Sequence, residues 1–208
     1  SSTPHDPSAG FMEAVRRLIE QRQVVPDAVS YIVHGTTVAT NAIIEGKVAS
    51  TAFITTDGFR DMLEIARQIR PELYNLQFEK PQPLVPRHYC FGVAERLNAR
   101  GDVLVGLDED ALRAVALQLQ REGVQSIAVC FLHAYANPVH EQRAGEILAE
   151  VFPEATVSLS SEVAPEFREY LRASTTVING CIRPVVANYL QRIEERLVEA
   201  GIRAELLV

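Results

Sequence analysis

Phe11, Val15, Leu18 and Ile19 recur at helical spacing through residues 10–22, with Arg and Glu between them and Pro4 and Pro7 ahead, and the pattern predicts an amphipathic helix. The apolar run at residues 29–33 reads as a buried strand. Residues Val38 to Glu45 read as a short helix closed by Gly46. A second strand is expected at 51–55, and Asp57-Gly58-Phe59 leads into a helix carrying Leu63 and Ile65. Strand, helix, strand, helix at this spacing implies that the first two strands form a parallel pair with a right-handed crossover.

From Arg67 the pattern is lost. Pro71, Pro81, Pro83 and Pro86 exclude regular helix and predict a long loop of the kind that serves as a lid, a binding loop or a link. Residues 89–97 and 102–105, joined through Asn98-Ala99-Arg100-Gly101, suggest a hairpin. A helix at 108–121 ended by Gly123, a strand at 127–132, a helix at 138–150 and a strand at 156–159 follow. The remainder is helical, with a break expected near Gly180 and Pro184 and an apolar face of Leu190, Ile193 and Leu197 before Gly201. The fold class is α/β. Three segments are expected: a partial lobe at 1–66, the Pro-rich loop and hairpin at 67–102, and a second α/β segment at 103–208.

Composition narrows the function. A chain of 208 residues with a net charge of −7 lacks the positive field that nucleic acid or an anionic membrane surface requires. No run approaches the roughly 20 apolar residues of a membrane span. Cys90, Cys130 and Cys181 form no C-x-x-C pair, which argues against a disulfide framework and for a reducing, cytoplasmic setting. The five histidines show no metal-ligand spacing, and no metal site made by this chain is expected.

Local chemistry concentrates at "HGTT", residues 34–37. Gly35 permits a tight turn, and Thr36 or Thr37 can cap a helix whose first N–H groups attract an anion. Neither capping box is completed, since the third helical position would be Ala39 or Thr40, so donors are left for a ligand. The same residues also suit a plain strand-to-helix turn. In the Pro-rich loop, Arg67, Arg70, Lys80 and Arg87 form either a clamp for carboxylate or phosphate or the charges of a solvated linker. In "SSEVAPEFREYLRASTT" the carboxylates suit acid–base work or water-mediated Mg²⁺ binding. They suit equally an ordinary helix with Glu166 beside Tyr170 and Glu169 beside Arg172. No Walker loop, G-x-G-x-x-G, G-x-S-x-G or H-E-x-x-H is present.

Taken in order, "HGTTVATNAIIEG", "RPELYNLQFEKPQPLVPR", "VAERLNARGDVL", "VCFLHAYANPVHE" and "SSEVAPEFREYLRASTTVINGCIRP" resemble the hydantoinase/oxoprolinase family, over nearly the whole chain. The resemblance implies part of an actin-like or sugar-kinase-like ATPase with ribonuclease-H-like lobes. It implies use of ATP and Mg²⁺ to open a cyclic amide, hydantoin or 5-oxoproline, by phosphorylating the amide oxygen. A B-type companion subunit or fused domain is the implied partner. The β subunit of an acetone-type carboxylase and a subunit-assembly module are the alternatives. The family's D-x-G-G-T phosphate loop is not in this sequence, which contains no Gly-Gly, so the segment is expected to be inactive alone. On the same resemblance, Thr36, Thr37 and Glu166 are candidate catalytic residues. His34, Asn41, Arg70, Arg168, Thr175 and Thr176 are candidate substrate-binding residues, Arg70 being the loop clamp.

Overall fold

The computed structural model describes residues 6–69 and 74–208. In chain order the elements are α1 (Pro7–Arg22), β1 (Tyr31–Val33), α2 (Val38–Ile44), β2 (Thr51–Thr56), α3 (Met62–Ile65), β3 (Cys90–Val93), β4 (Arg96–Leu97) and β5 (Val103–Val105). They continue with α4 (Glu109–Arg121), β6 (Ser126–Cys130), α5 (Val139–Val151), β7 (Thr156–Leu159), α6 (Ser160–Val163), α7 (Glu169–Glu199) and β8 (Glu205–Leu207). Two compact units result, the first made of Ser1–Lys47 and Val185–Val208, the second of Val48–Pro184. The breaks expected at 66/67 and 102/103 both fall inside the second unit.

The second unit is built on a four-stranded parallel sheet of order β3-β2-β6-β7. Every residue of β2 and β6 is buried, as parallel strands covered on both faces require. Alternation sends Ile54, Ile127 and Val129 to the face covered by Leu112 and Leu119 of α4 and Ile147 and Leu148 of α5. Phe53, Ala128 and Cys130 point the other way, onto Ala173, Val177 and Cys181 of α7. Gly180 lets α7 settle there, because a Cβ at that position would lie 3.2 Å from Ser126 Oγ and 3.3 Å from Thr51 Cγ2. All three cysteines are free and buried.

In the first unit the core is Met12, Tyr189, Ile193, Leu197 and Ile202, with Phe11, Val15, Ile19, Ile32 and Leu206 packed on it. Leu18, counted in the apolar face of α1 on periodicity, is 59% exposed, and Met12 is buried instead. Asp6 caps α1. Its carboxylate accepts from Ser8 Oγ at 2.6 Å, from Ala9 N at 3.3 Å and from Arg196 at 2.6 Å. The Ser8 hydroxyl, then Arg196, hold this carboxyl down to about 2. A depressed carboxylate stabilises the fold fully above its unfolded value of 3.8, and that stabilisation is lost as pH falls through about 2. The carboxyl resonance of Asp6 is expected to titrate near that lower value, and Asp6→Asn to flatten the acid side of the stability–pH curve. A midpoint at the ordinary value would contradict the cap geometry.

Four expectations are corrected. The parallel pair is not β1 with β2: β1 pairs with β8, Tyr31 opposite Glu205 and Val33 opposite Leu207, while β2 lies between β3 and β6. Periodicity marks a strand but carries nothing about its partner, and the three residues of β8 are too few to show an alternation. Residues 89–97 do not form one hairpin arm. Residues Cys90–Val93 join the parallel sheet, and only Arg96–Leu97 pairs antiparallel with β5. Helix α7 runs unbroken through Gly180 and Pro184. The two residues stand four apart, so Pro184 withholds only the bond that the Gly180 carbonyl would accept, one defect in a long helix. Finally, Arg172 does not pair with Glu169 on the helix surface but turns inward, as described below.

The helix ends at Gly46 and Gly123 hold as read, both with positive φ, 66° and 71°. Between Ile65 and Arg87 no regular element occurs among the described residues, in keeping with the prolines. No helix among the described residues is long and apolar enough to cross a membrane.

Candidate functional site

A cleft of about 800 Å³ opens in the first unit where β1 turns into α2. Pairing with β8 continues one residue past β1, His34 N donating to Leu207 O at 2.8 Å, and this fixes where the His34 ring emerges. Its Nε2 lies 2.7 Å from the Tyr189 hydroxyl, and the Phe11 ring packs 4.6 Å away. Burial pushes the imidazole below its ordinary value, so His34 is neutral at pH 7. Thr36 Oγ1 accepts from Val38 N at 3.2 Å. Thr37 occupies the cap position without capping, its oxygen accepting from Asn41 Nδ2 at 3.4 Å. Of the two threonines, Thr36 therefore ties down the turn.

The opposite wall is one face of α7: Val185, Asn188, Tyr189 and Arg192, spaced i, i+3, i+4, i+7. The apolar stripe of Leu190, Ile193 and Leu197 is plain in the sequence, whereas this second, mixed stripe is not. A search for polar residues at helical spacing beside the apolar ones would have found Asn188 and Arg192. The carboxylates at the rim are engaged, Asp6 with Arg196 at 2.6 Å and Glu45 with Lys47 at 2.8 Å.

His34, Thr36, Thr37 and Asn41 are thus brought together in one cleft. Glu166, Arg168, Thr175 and Thr176 belong to the second unit. Glu166 and Arg168 are exposed on the turn before α7, Arg168 at φ 84°. The hydroxyls of Thr175 and Thr176 donate to the carbonyls of Leu171 and Arg172, at 2.9 and 2.7 Å, and Thr176 is fully buried. Arg70 lies outside the described residues.

Two buried polar networks lie at the carboxyl ends of the second unit's strands, and neither was anticipated. In one, Glu141 accepts from Phe131 N at 2.9 Å, Ser160 Oγ at 2.6 Å and Ser161 N at 2.7 Å, and burial pushes its carboxyl up. Arg172 donates to Ser160 Oγ at 3.0 Å and to the carbonyls of Glu166 and Phe131 at 2.8 Å each. In the other, Glu95 accepts from the Thr56 hydroxyl and lies 2.7 Å from His140 Nδ1, while Leu132 N donates to Thr56 Oγ1 at 2.9 Å.

Among the described residues no group of three or more His, Cys, Asp or Glu side chains is placed to hold a metal ion. The threonine hydroxyls and the Arg192 guanidinium, by contrast, suit an anionic ligand.

A parallel sheet flanked by helices defines an α/β protein, and the polar cleft at the strand-to-helix junction is its candidate ligand site. The chain belongs to the hydantoinase/oxoprolinase family, whose N-terminal-region profile matches residues 1–152. An uncharacterized protein of Methanocaldococcus jannaschii is 37% identical over 100% of this chain and 30% of its own length. The caprolactamase subunit alpha of Pseudomonas jessenii is 32% identical over 96% of this chain and 30% of its own length. The 5-oxoprolinase of Saccharomyces cerevisiae is 32% identical over 91% of this chain and 17% of its own length. The crystal structure of the ATP-dependent caprolactamase from Pseudomonas jessenii superposes with a TM-score of 0.89, covering 99% of this chain and 30% of that one. A nucleotide-free acetone carboxylase shares the fold, with a TM-score of 0.83 at 24% identity over 98% of this chain and 31% of that one. The chain therefore spans less than a third of the length of the relatives it matches.

Proposed function

We propose that this chain is part of an ATP-dependent cyclic amidase that opens a hydantoin, 5-oxoproline or related lactam ring, working with a B-type companion subunit or domain. The observation that carries this reading is the cleft uniting His34, Thr36, Thr37 and Asn41, in a chain whose relatives include a 5-oxoprolinase and an ATP-dependent caprolactamase. An amide carbonyl is a poor electrophile, and ATP, when bound, supplies the phosphoryl group that makes its oxygen a leaving group. The chain's own residues then position and stabilise. Thr36 and Thr37 present hydroxyls to an amide or phosphate oxygen, and Asn41 holds Thr37 in place. Neutral His34, fixed by Tyr189, offers the ring's polar edge a hydrogen-bonding group that adds no charge.

The test is ADP release by the full-length enzyme and its companion subunit with hydantoin, 5-oxoproline and caprolactam, and separately with acetone plus bicarbonate. Stimulation by a cyclic amide without bicarbonate is expected. Stimulation only by ketone and bicarbonate would move the chain to the carboxylases. The double variant Thr36→Val, Thr37→Val is expected to lower kcat/KM by about 10- to 100-fold, the scale of one or two lost hydrogen bonds to a developing charge. Unchanged kcat/KM would remove the threonines from the site.

A further inference from the structure

In the second unit's sheet, of order β3-β2-β6-β7, the chain leaves β2 toward β3 on one side and leaves β6 toward β7 on the other. The helices that follow also part. Met62 and Leu63 of α3 pack on one face of the sheet, and Ala144, Ile147 and Leu148 of α5 on the opposite face. The carboxyl ends of β2 and β6 are therefore a topological switch point, the place where parallel sheets receive ligands. Thr56 ends β2 there and accepts from Leu132 N, just past β6, at 2.9 Å. The buried Glu95 accepts from the Thr56 hydroxyl with one carboxylate oxygen, and its other oxygen lies 2.7 Å from His140 Nδ1. His140 is 7% exposed, and its Nε2 is neither bonded nor sealed from solvent. The carboxylate accepts, so Nδ1 carries the proton and Nε2 presents its lone pair, the arrangement that makes an imidazole an oriented nucleophile.

His140 also stands in the first turn of α5, a 13-residue helix without a side-chain cap from its N-cap residue, Pro138. Asn137 Oδ1 accepts from Val139 N at 3.1 Å and Pro138 O from Gln142 N at 2.9 Å, which leaves the N–H groups of His140 and Glu141 without acceptors among the described residues. A helix start of this kind favours the negative charge of a phosphoryl group. The Glu141 carboxylate does not answer it, being taken up by Phe131 N, Ser160 Oγ and Ser161 N. In the loop between β6 and α5, His133 is held at φ 60°, and its Nδ1 is buried without a partner. We propose that His140 is a phosphoryl acceptor, with Glu95 as the positioning residue that fixes its tautomer. The donor is ATP, whose use rests on the cyclic-amidase reading above. The Nε2 lone pair attacks the γ-phosphorus, the N–P bond forms, and the bond from phosphorus to the bridging oxygen breaks. ADP leaves with that electron pair. Nδ1 keeps its proton, and the Glu95 carboxylate answers the positive charge left on the ring.

The experiment uses the full chain containing this segment, without a cyclic amide, and two donors: ATP labelled at the γ-phosphorus, and phosphoramidate, which phosphorylates imidazoles without needing an ATP site. Mass spectrometry under alkaline conditions locates the label. ATP is expected to place an acid-labile phosphoryl group on His140 and on no other histidine, and phosphoramidate to label His140 despite its burial. His140→Gln should remove the label from ATP. Glu95→Gln, which reverses the tautomer, should slow labelling by at least about tenfold. Unchanged protection of Cys90, Cys130 and Cys181 from a thiol reagent is the control for folding, since all three are buried in this unit. If ATP leaves His140 unlabelled, or if the Glu95→Gln variant is labelled as fast as the native chain, the proposal is wrong. Labelling of the exposed His88 by phosphoramidate with none on His140 would also overturn it, because Nε2 would be out of reach. Release of ADP stimulated by a cyclic amide, with His140 unlabelled, would remove the acceptor and leave the cyclic-amidase reading standing. Absence of both would remove both.

Discussion

Replacing Arg172 by methionine is expected to lower the stability of the second unit by about 3–5 kcal/mol, the range for breaking a buried charged network from one side. Arg172 is 2% exposed, and its guanidinium ties three elements together by bonding Ser160 Oγ and the carbonyls of Phe131 and Glu166. It also lies 5.3 Å over the Tyr135 ring. Methionine fills much of the volume and removes every donor. The Phe131 carbonyl then keeps only the long 3.4 Å bond from Ala134 N, and the Ser160 hydroxyl that donates to Glu141 loses its own donor. Arg172→Lys, with a single point of charge, should recover only part of the loss. Urea unfolding reports the difference, with a thiol reagent as the local probe. All three cysteines lie in this unit and are buried, and burial pushes the thiols of Cys90 and Cys130 up to about 11. They should react only when the unit opens, and earlier in urea for the methionine variant. An unchanged midpoint would mean that the guanidinium contributes nothing net to the fold.

Glu95 is the second sensitive point. Its side chain is fully buried, and it accepts from Thr56 while meeting His140 at 2.7 Å. Alanine strands both partners without water and should cost about 2–4 kcal/mol. Glutamine keeps an oxygen for the Thr56 hydroxyl and presents an N–H that the imidazole accepts in its other tautomer, so Glu95→Gln should cost less than half as much. Equal losses for the two variants would show that the carboxylate charge, and not the bonding pattern, is what the site needs.

Neither network was legible in the sequence, for a physical reason. Glu95, Glu141, His140 and Arg172 are residue types that solvate themselves when exposed, and only burial makes them a network. Burial of a side chain on a helix depends on what packs opposite. Arg172 shows this well: its spacing from Glu169 satisfies a surface ion pair, yet the helix is rotated to send it under Phe131. The parallel α/β character was legible, because β2 and β6 are unbroken apolar runs and the helices carry their own periodicity and glycine stops. The strand partners were not, because the β1–β8 pairing joins segments from the two ends of the sequence. The site was half legible. "HGTT" announces a strand-to-helix turn by composition, whereas Tyr189 and Arg192 enter only through tertiary contact.

That first unit, assembled from Ser1–Lys47 and Val185–Val208, sets an order of events during synthesis. A ribosome delivers α1, β1 and α2 before the whole of the inserted second unit, which can fold before Val185–Val208 are made. Throughout that interval β1 waits without β8, its backbone edge unpaired, because β8 follows the inserted unit. The nascent chain therefore carries an unsatisfied strand while the inserted unit is made. This is the stage at which mispairing with another chain is most probable and chaperone protection most valuable.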